Sequence, residues 1–299
     1  MSDEQRKDEQ QDDAAVNELS RRDFVAMGIA AGIVAATGAG ASAAMQVVEK
    51  DVDIKTADGV CNCAFIHPTS GSHAGVIIWP DAFGLRPVLR QIGRRIAAEG
   101  YSALVVNPYY RLTRDPKFDA PNFSFQNQED RAKLTPLMGS INAAGAAEKD
   151  AEAFVAWLDQ QKEVNKGKKI GTQGYCMGGP LVLRTAATVP SRVGAVGSFH
   201  GGGLVTDKPD SPHLLASKIH ARLYFGVARN DDQRQPDAKD KLKEAFEAAH
   251  QPAKIEVYQA DHGWCISDMP KANGTPIYNM PEAERAWGEL VVLYKTALA

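Results

Sequence analysis

Strand-like runs alternate with amphipathic segments along most of the chain after about residue 50. Six runs have the length and composition of buried strands: AGVIIWP, YSALVVNP, KKIGTQGY, VGAVGSFH, ARLYFGVA and KIEVYQA. Between and after them come segments typical of helices: RPVLRQIGRRIAAEG, NAAGAAEKDAEAFVAWLDQQ, PLVLRTAATVP, PDAKDKLKEAFEAAH and PEAERAWGELVVLYKTAL. Strands that alternate with helices predict an α/β fold, in which a mostly parallel central sheet is covered by helices on both faces.

A hairpin and a long connection complete the predicted order of elements. The segments VDIKTADG and VCNCAFIHP predict two antiparallel strands joined at the Asp58-Gly59 turn. The polar stretch 111–140 contains three prolines, at positions 116, 121 and 136. We expect this stretch to be a loop or a cap close to a functional site. No linker rich in Gly, Pro or Ser divides residues 44–299, which we therefore expect to form one domain.

The N-terminal part of the chain has a different composition. Residues 1–19 are polar and acidic without an apolar period, which is typical of a disordered segment. In residues 20–43, SRRDF precedes a weakly hydrophobic Ala/Gly-rich run that ends in the small residues ASA. This order resembles a twin-arginine export signal with an A-x-A cleavage site. The alternative is an uncleaved membrane anchor, but the run is marginal in hydrophobicity for a span of about 20 residues.

An export signal has consequences for location and partners. Twin-arginine substrates are generally exported already folded, so the export machinery would be a partner of this chain. The mature protein would begin near Ala44, lie in the periplasm and have no stable association with the membrane after removal of the signal. The net charge of −3 gives no broad basic surface, so we expect no nucleic-acid partner.

Four cysteines in 299 residues do not form a disulfide framework. Cys61 and Cys63 lie two residues apart in a predicted strand, so they share a face and are poorly placed to bridge each other. We expect both to be structural. A metal site is not expected, because C-x-C lacks a second ligand pair and the seven histidines form no H-x-x-x-H pattern.

Cys176 lies in the segment GYCMGG, between a predicted strand and a predicted helix. The pattern G-x-nucleophile-x-G at such a junction is typical of a nucleophile elbow, a turn too sharp for side chains two residues before and after the nucleophile. The N–H of Met177 would then point from the start of a helix and stabilise a developing oxyanion. The alternative of a phosphate-binding loop is disfavoured, because the segment has no Lys-Ser/Thr pair and no G-x-G-x-x-G.

A cysteine nucleophile needs a base and a group that orients the base. His262, in DHGW, follows the last predicted strand, where the chain order nucleophile, acid, base of α/β-hydrolases places the histidine. The acid is expected after ARLYFGVA, where Asp231 and Asp232 are both candidates. We favour Asp231, because it is nearer the strand end and its neighbour can face solvent.

From about residue 50 to 297, the chain resembles the dienelactone hydrolase (carboxymethylenebutenolidase) family of α/β-hydrolases. The resemblance rests on these motifs and on the segments IIWPDAFGLRPVLRQIGRRIAAEGY and VVNPYYR. The resemblance implies an α/β-hydrolase fold that opens enol-lactones with a Cys-His-Asp triad and without metal or other cofactor. Carried over to this chain, it implies that Cys176 is the nucleophile, His262 the base and Asp231 its partner. Met177 and Ala82 would supply the N–H groups that bind the oxyanion.

The resemblance also implies three substrate-binding positions. Asp81 stands where the family usually has a glutamate near the thiol, and Arg111 matches an arginine that helps to hold a substrate carboxylate. His200, in SFHGGG, is a candidate either for the pocket lining or for a structural role. The family's dienelactone enzymes have a further arginine shortly after the histidine, and HGWCISDMP has none. Only one of the two arginines expected to form a carboxylate clamp, the pair that holds a substrate carboxylate, is therefore present.

The predicted reaction is hydrolysis of a small-molecule lactone or activated ester through a thioester acyl-enzyme. A thiolate attacks activated esters without a strong general base, and it would be a poor choice for ordinary amides. A broad carboxylesterase or thioesterase is the alternative among enzymes. The alternative outside catalysis is an α/β-hydrolase scaffold that is non-catalytic or uses Cys176 as a redox thiol.

Overall fold

The computed structural model describes residues 45–251, 253–272 and 274–299. The predicted disordered segment 1–19 and the predicted export signal 20–43 therefore lie outside the described residues. Within those residues, no helix combines the length and apolar character that a membrane span requires.

Eight strands form the main sheet, and its parallel part carries the candidate site. The strands are β1 (Val47–Thr56), β2 (Gly59–Pro68), β3 (Gly75–Trp79), β4 (Ser102–Val106), β5 (Ile170–Tyr175), β6 (Val193–Phe199), β7 (Arg222–Ala228) and β8 (Ala253–Tyr258). Their spatial order is β1-β2-β4-β3-β5-β6-β7-β8. The pairs from β4 to β8 are parallel, whereas β1–β2 and β2–β4 are antiparallel. The predicted mostly parallel sheet and its N-terminal hairpin are thus confirmed.

Seven α-helices accompany this sheet in the described residues. They are α1 (Pro87–Ala98), α2 (Gln128–Ile141), α3 (Ala146–Leu158), α4 (Gly178–Thr188), α5 (Arg229–Arg234), α6 (Ala238–Ala248) and α7 (Met280–Ala297). Two short 3₁₀ helices (Ala120–Asn122 and Pro212–Lys218) and the small hairpin β9 (Lys271–Ala272) with β10 (Thr275–Pro276) lie in connections.

Strand β5 shows how helices cover both faces of the sheet. Tyr294 of α7 packs over Gly171 and donates a hydrogen bond from its hydroxyl to Gln173 Oε1 at 3.0 Å. On the other face, a side chain at Gly174 would meet Val182 of α4. Successive strand residues point to opposite faces, so α7 and α4 lie on opposite sides of the sheet. This confirms the predicted helix layers.

The connection 111–140, expected to be a loop or a cap, is helical in its second half, where α2 runs from Gln128 to Ile141. Asn127 caps this helix, because its Oδ1 accepts hydrogen bonds from the backbone N–H of Glu129 (2.8 Å) and Asp130 (3.2 Å). Pro136 lies inside the helix. A proline normally breaks a helix interior, and this is why the sequence pattern predicted a loop.

The buried thiols of Cys61 and Cys63 lie on one face of β2, with their Sγ atoms 3.5 Å apart. Both cysteines are free. Cys61 Sγ also approaches the carbonyl oxygen of Asn107 at 3.3 Å. This placement agrees with a structural role inside the hairpin.

Candidate active site

Cys176 occupies a sharp turn between β5 and α4, as the glycine pattern predicts. Its φ is +52°, a left-handed conformation that is uncommon for a residue other than glycine. A Cβ at Gly174 would collide with the carbonyl oxygen of Gly178, and a Cβ at Gly178 would lie 2.5 Å from the carbonyl oxygen of Trp79. Both glycines are therefore required for the turn that raises Cys176 above the carboxyl end of the sheet.

The backbone of Cys176 is fixed from below by the end of β6. Its N–H is shared between the carbonyl oxygen of Phe199 and Nδ1 of His200, each at 3.1 Å. Its carbonyl oxygen accepts hydrogen bonds from the N–H of Gly179 (3.0 Å) and of Gly202 (3.2 Å). The strained turn is thus held by four hydrogen bonds, which preserves its geometry against relaxation.

His200 lies beneath Cys176, fully buried and with a φ of +40°. Burial lowers the pKa of His200 well below 6.5, and repulsion from His262 lowers it further, so the ring is neutral. Because Nδ1 accepts a hydrogen bond, the proton belongs on Nε2, which has no partner within the described residues. His200 is absent from the described lining of the Cys176 cavity, so the structure favours the structural alternative over pocket lining.

His262 follows β8 and is oriented by the loop after β7. Its Nδ1 lies 2.6 Å from Asp231 Oδ2, and its backbone N–H donates to Asn230 Oδ1 at 2.9 Å. Arg234 donates to the other oxygen of Asp231 at 2.9 Å. Asp232 instead accepts from Lys239 Nζ at 2.7 Å. Of the two candidate acids, the structure brings Asp231 to the histidine.

Cys176 and His262 line the same cavity and interact electrostatically. Burial alone would lower the pKa of His262. The neighbouring Cys176 sulfur and the Asp231 carboxylate outweigh burial and raise this pKa from 6.5 to about 10. The imidazole is therefore protonated at neutral pH and can hold the proton of the thiol.

This raised pKa predicts a pH-dependent contribution to stability. The folded-state pKa of about 10 exceeds the ordinary 6.5, so the contribution of His262 is full below about pH 6.5 and is lost as the pH rises to about 10. We expect the stability advantage of the wild type over His262→Gln to be larger at pH 6 than at pH 10 by at least about 1.4 kcal/mol, the equivalent of one pKa unit. Urea unfolding of both proteins measures this advantage, and equal values at the two pH values would contradict the prediction.

Asp81 lies at the cavity wall after β3, where it forms a buried ion pair with Arg86. The two guanidinium Nη atoms donate to its two oxygens at 2.7 and 2.9 Å, and the N–H of Phe83 donates to Oδ1 at 2.9 Å. Arg86 also binds Asp268 through Nε and Nη2, at 2.9 and 2.7 Å. Burial opposes the charge of Arg86, but the two carboxylates raise its pKa above the ordinary value. The ion pair links the loop after β3 to the loop that carries His262.

Tyr109 contacts both residues whose backbone N–H groups are predicted to bind the oxyanion, Ala82 and Met177. The hydroxyl of this buried tyrosine donates to the carbonyl oxygen of Ala82 at 2.7 Å and lies 3.3 Å from the Sδ of Met177. Neither N–H donates to another described residue. Both groups are therefore available to an oxyanion, and their role in binding one stays a prediction. The contacts of Tyr109 with both residues were not anticipated from the sequence.

The structure corrects the placement of Arg111, which does not belong to the described lining of the Cys176 cavity. Its guanidinium donates to both oxygens of Asp150, at 2.7 and 2.9 Å, and to Asp58 Oδ2 at 2.9 Å. Asp150 is fully buried on α3 and needs a cation beside it. The guanidinium is therefore committed to a structural ion pair, not to a substrate carboxylate.

The cavity above Cys176 has a volume of about 960 Å³. Small-molecule sites in proteins usually measure about 300–1,000 Å³, so this one is large. Its lining includes 121–126 from the first half of the long connection, which confirms that this segment lies near the site. Among the described residues, no group of three or more His, Cys, Asp or Glu side chains is arranged to hold a metal ion.

Comparison with known proteins assigns the chain to a family. Residues 63–298 match the family model described as the dienelactone hydrolase family. The chain belongs to this family. It is accordingly a hydrolase that acts on ester or lactone bonds.

Relatives with curated names support the dienelactone hydrolase assignment. A carboxymethylenebutenolidase homologue of Methylorubrum extorquens is 27% identical over 296 residues, which cover 93% of each chain. A homologue of Synechocystis is 27% identical over 232 residues, covering 76% of this chain and 88% of the relative. The carboxymethylenebutenolidase of Rhodococcus opacus is 24% identical over 199 residues, covering 65% of this chain and 71% of the relative.

Solved structures show the same fold as this dienelactone hydrolase family member. A dienelactone hydrolase-like promiscuous phosphotriesterase from metagenomic libraries has a TM-score of 0.70 at 22% identity, covering 85% of this chain and 99% of the other. The dienelactone hydrolase of Anabaena variabilis has a TM-score of 0.57 at 18% identity, covering 85% of this chain and 100% of the other. The predicted α/β-hydrolase fold is thus confirmed.

Proposed function

We propose that the protein hydrolyses lactones or activated esters through a Cys176–His262–Asp231 triad and a thioester acyl-enzyme. The contact of 2.6 Å between His262 Nδ1 and Asp231 Oδ2 carries this proposal, because it orients the imidazole in the cavity that also contains Cys176. The strained backbone of Cys176 and the free N–H groups of Ala82 and Met177 support it further.

The geometry supports a two-step acyl transfer. In the first step, His262 holds the proton of the Cys176 thiol, and the sulfur forms a bond to the ester carbonyl carbon. The tetrahedral oxyanion accepts hydrogen bonds from Ala82 and Met177. The C–O bond of the ester then breaks, and the leaving oxygen takes the proton from His262. In the second step, His262 takes a proton from water, and the resulting hydroxide attacks the thioester carbon. The C–S bond then breaks, its electron pair returns to the Cys176 sulfur, the acid leaves and His262 keeps the proton.

The occupied guanidinium of Arg111 favours a broad carboxylesterase or thioesterase as the second candidate. Its four contacts to carboxylate oxygens leave Arg111 unavailable as the predicted carboxylate clamp. The proposed substrates are therefore activated esters and lactones in general, and a free carboxylate on the substrate is not required.

The neighbouring aspartates Asp231 and Asp232 provide a matched test of the proposed triad. We expect Asp231→Asn to lower kcat for 4-nitrophenyl acetate by about 10²-fold or more, because an amide can hold the imidazole in the wrong tautomer. Asp232→Asn removes the same charge from the partner of Lys239, so it should change kcat by less than about threefold, because the Asp232 carboxylate pairs with Lys239 and not with His262. Equal losses in the two variants would contradict the assignment of Asp231.

We further propose that the N-terminal residues direct the protein to the periplasm by the twin-arginine route. The support is the sequence SRRDF followed by the weakly hydrophobic run and ASA. Replacing Arg21 and Arg22 with lysine should retain most of the protein in the cytoplasm, as measured by cell fractionation of a Gram-negative host. Unchanged periplasmic recovery of the double variant would contradict this route.

A further inference from the structure

Three phenylalanine rings form one side of the Cys176 cavity, and we call Phe83, Phe123 and Phe125 the aromatic wall. The ring centroids of Phe83 and Phe123 are 5.0 Å apart, those of Phe123 and Phe125 are 4.9 Å apart, and those of Phe83 and Phe125 are 5.9 Å apart. These spacings lie within the favourable range for aromatic pairs, so the rings support one another. Phe118 packs against Phe83 and Phe123 but does not belong to the described cavity lining.

The aromatic wall begins beside the proposed oxyanion site. Phe83 directly follows Ala82, and its backbone is fixed by the hydrogen bond from its N–H to Asp81 Oδ1. The ring of Phe83 is buried, with 1% of the residue exposed. A carbonyl group held by Ala82 and Met177 would therefore lie next to this wall.

Phe125 is the solvent-exposed residue of the aromatic wall. It is 46% exposed, whereas Phe123 is 7% exposed, and both line the cavity. An exposed aromatic side chain in a concave site is unusual, because aromatic rings contribute most when they are covered. A flat apolar group that enters the cavity would cover Phe125 and remove this surface from water.

The side of the cavity next to His262 is aliphatic instead. Met269 and Ile277 both line the cavity and approach Gly263, where a Cβ would lie 2.9 Å from Met269 Cε and 3.3 Å from Ile277 Cγ2. In the proposed reaction, the leaving group must reach His262 to receive its proton. The leaving group would therefore contact this aliphatic side, and the acyl group would extend along the aromatic wall.

The charged groups of the cavity are paired or lie outside the segment 121–126, which carries Phe123 and Phe125. Asp81 is paired with Arg86, and Arg234 donates to Asp231. Lys271 is exposed at the cavity lining, without an ion pair in the part of the chain that the structure describes. The segment 121–126, with Phe123 and Phe125, thus contributes no charged side chain to the cavity.

We propose that the enzyme selects esters whose acyl group carries an aryl ring, which packs against Phe125 and Phe123 while the carbonyl lies at Cys176. This inference rests on the proposed ester hydrolysis and adds the class of acyl group. It makes Phe125 a residue that determines specificity.

The test uses esters that share one non-aromatic leaving group. Trifluoroethyl 3-phenylpropanoate, trifluoroethyl 3-cyclohexylpropanoate and trifluoroethyl butanoate are compared by pH-stat for the wild type, Phe125→Ala and Phe125→Leu. Leu112→Ala serves as the control, because Leu112 is an exposed apolar residue outside the described cavity lining. Cys176→Ala gives the background rate.

We expect the wild type to have the highest kcat/KM for the phenyl ester. Phe125→Ala should lower this value by about two- to tenfold, the range for loss of one aromatic contact, and should lower kcat/KM for the butanoate less. Phe125→Leu should lower kcat/KM for the phenyl ester more than kcat/KM for the cyclohexyl ester. Leu112→Ala should leave kcat/KM unchanged for all three esters.

Two results would overturn this inference while leaving the proposed function intact. One is wild-type hydrolysis without preference for the phenyl ester. The other is an equal loss for all three esters in Phe125→Ala, which indicates a general effect on the site. If the wild type hydrolyses none of the esters faster than Cys176→Ala does, the proposed function itself fails.

Discussion

Replacing Cys176 with alanine is expected to lower the kcat for activated esters by about 10⁴-fold or more, because the residual rate then comes only from binding and the oxyanion site. The side chain of Cys176 stands above the carboxyl end of β5, in the cavity that His262 also lines. No other cysteine belongs to the described lining of this cavity, so another thiol cannot substitute for it. Hydrolysis of 4-nitrophenyl acetate at neutral pH, followed by absorbance, measures the loss.

Two observations separate loss of the nucleophile from loss of the fold. The thermal unfolding temperature of Cys176→Ala should stay close to that of the wild type, because alanine occupies the same turn without a larger side chain. Mass spectrometry of the acid-quenched wild type should show an acetyl group on the peptide that contains Cys176, and the variant should show none. Ester hydrolysis that persists in Cys176→Ala at more than about a tenth of the wild-type rate would refute the proposed nucleophile.

The second large effect concerns stability. We expect Arg86→Met to reduce the free energy of unfolding by about 3–5 kcal/mol, the usual cost of removing one partner from a buried ion pair. Asp81 is 1% exposed, and without Arg86 its carboxylate would keep only the N–H of Phe83 as a hydrogen-bond donor among the contacts seen here. Urea unfolding at neutral pH, followed by far-UV circular dichroism, measures the change.

A surface ion pair supplies the matched control for Arg86. Arg114 lies 2.6 Å from Asp53, and both side chains are more than half exposed, so Arg114→Met should cost less than about 1 kcal/mol. Adding Asp81→Asn to Arg86→Met should restore part of the lost stability, because the uncompensated charge is then removed. A loss below about 1 kcal/mol in Arg86→Met would show that the buried pair does not stabilise the fold.

The elements that the sequence pattern predicted correctly are determined by residues close to one another in the chain. Buried runs such as those of β3 and β4 are continuous, and glycines are required on both sides of Cys176 by the turn itself. In α2, by contrast, the Asn127 cap and the helical turns tolerate Pro136, and the composition of the segment does not reveal this. The pattern therefore located the segment near the site but not its helix.

The parts of the site that sequence analysis missed depend on contacts between distant segments. Asp268 is 182 positions from Arg86, and Asp150 is 39 positions from Arg111. A motif can suggest a residue's role, but the ion pair of Arg111 with Asp150 forms only when α3 packs against the hairpin. The only local signal for Arg86 was its place five residues after Asp81, in DAFGLR.

The choice between Asp231 and Asp232 illustrates the same limit at short range. Both follow β7 directly, so the strand-end argument applies almost equally to them. The short helix α5 turns Asp232 toward Lys239 and leaves Asp231 facing His262. The two aspartates are adjacent in this helix and point in different directions. The sequence does not specify which of them faces His262.

The left-handed backbone of Cys176 places selection for stability and selection for activity in opposition at this position. A glycine there would adopt the same φ of +52° without steric cost, so Cys176→Gly relieves strain while removing the thiol. Random mutagenesis screened only for thermal resistance would therefore tolerate or enrich glycine at position 176. A screen that also requires ester turnover would retain the cysteine, as expected where function is maintained at the expense of stability.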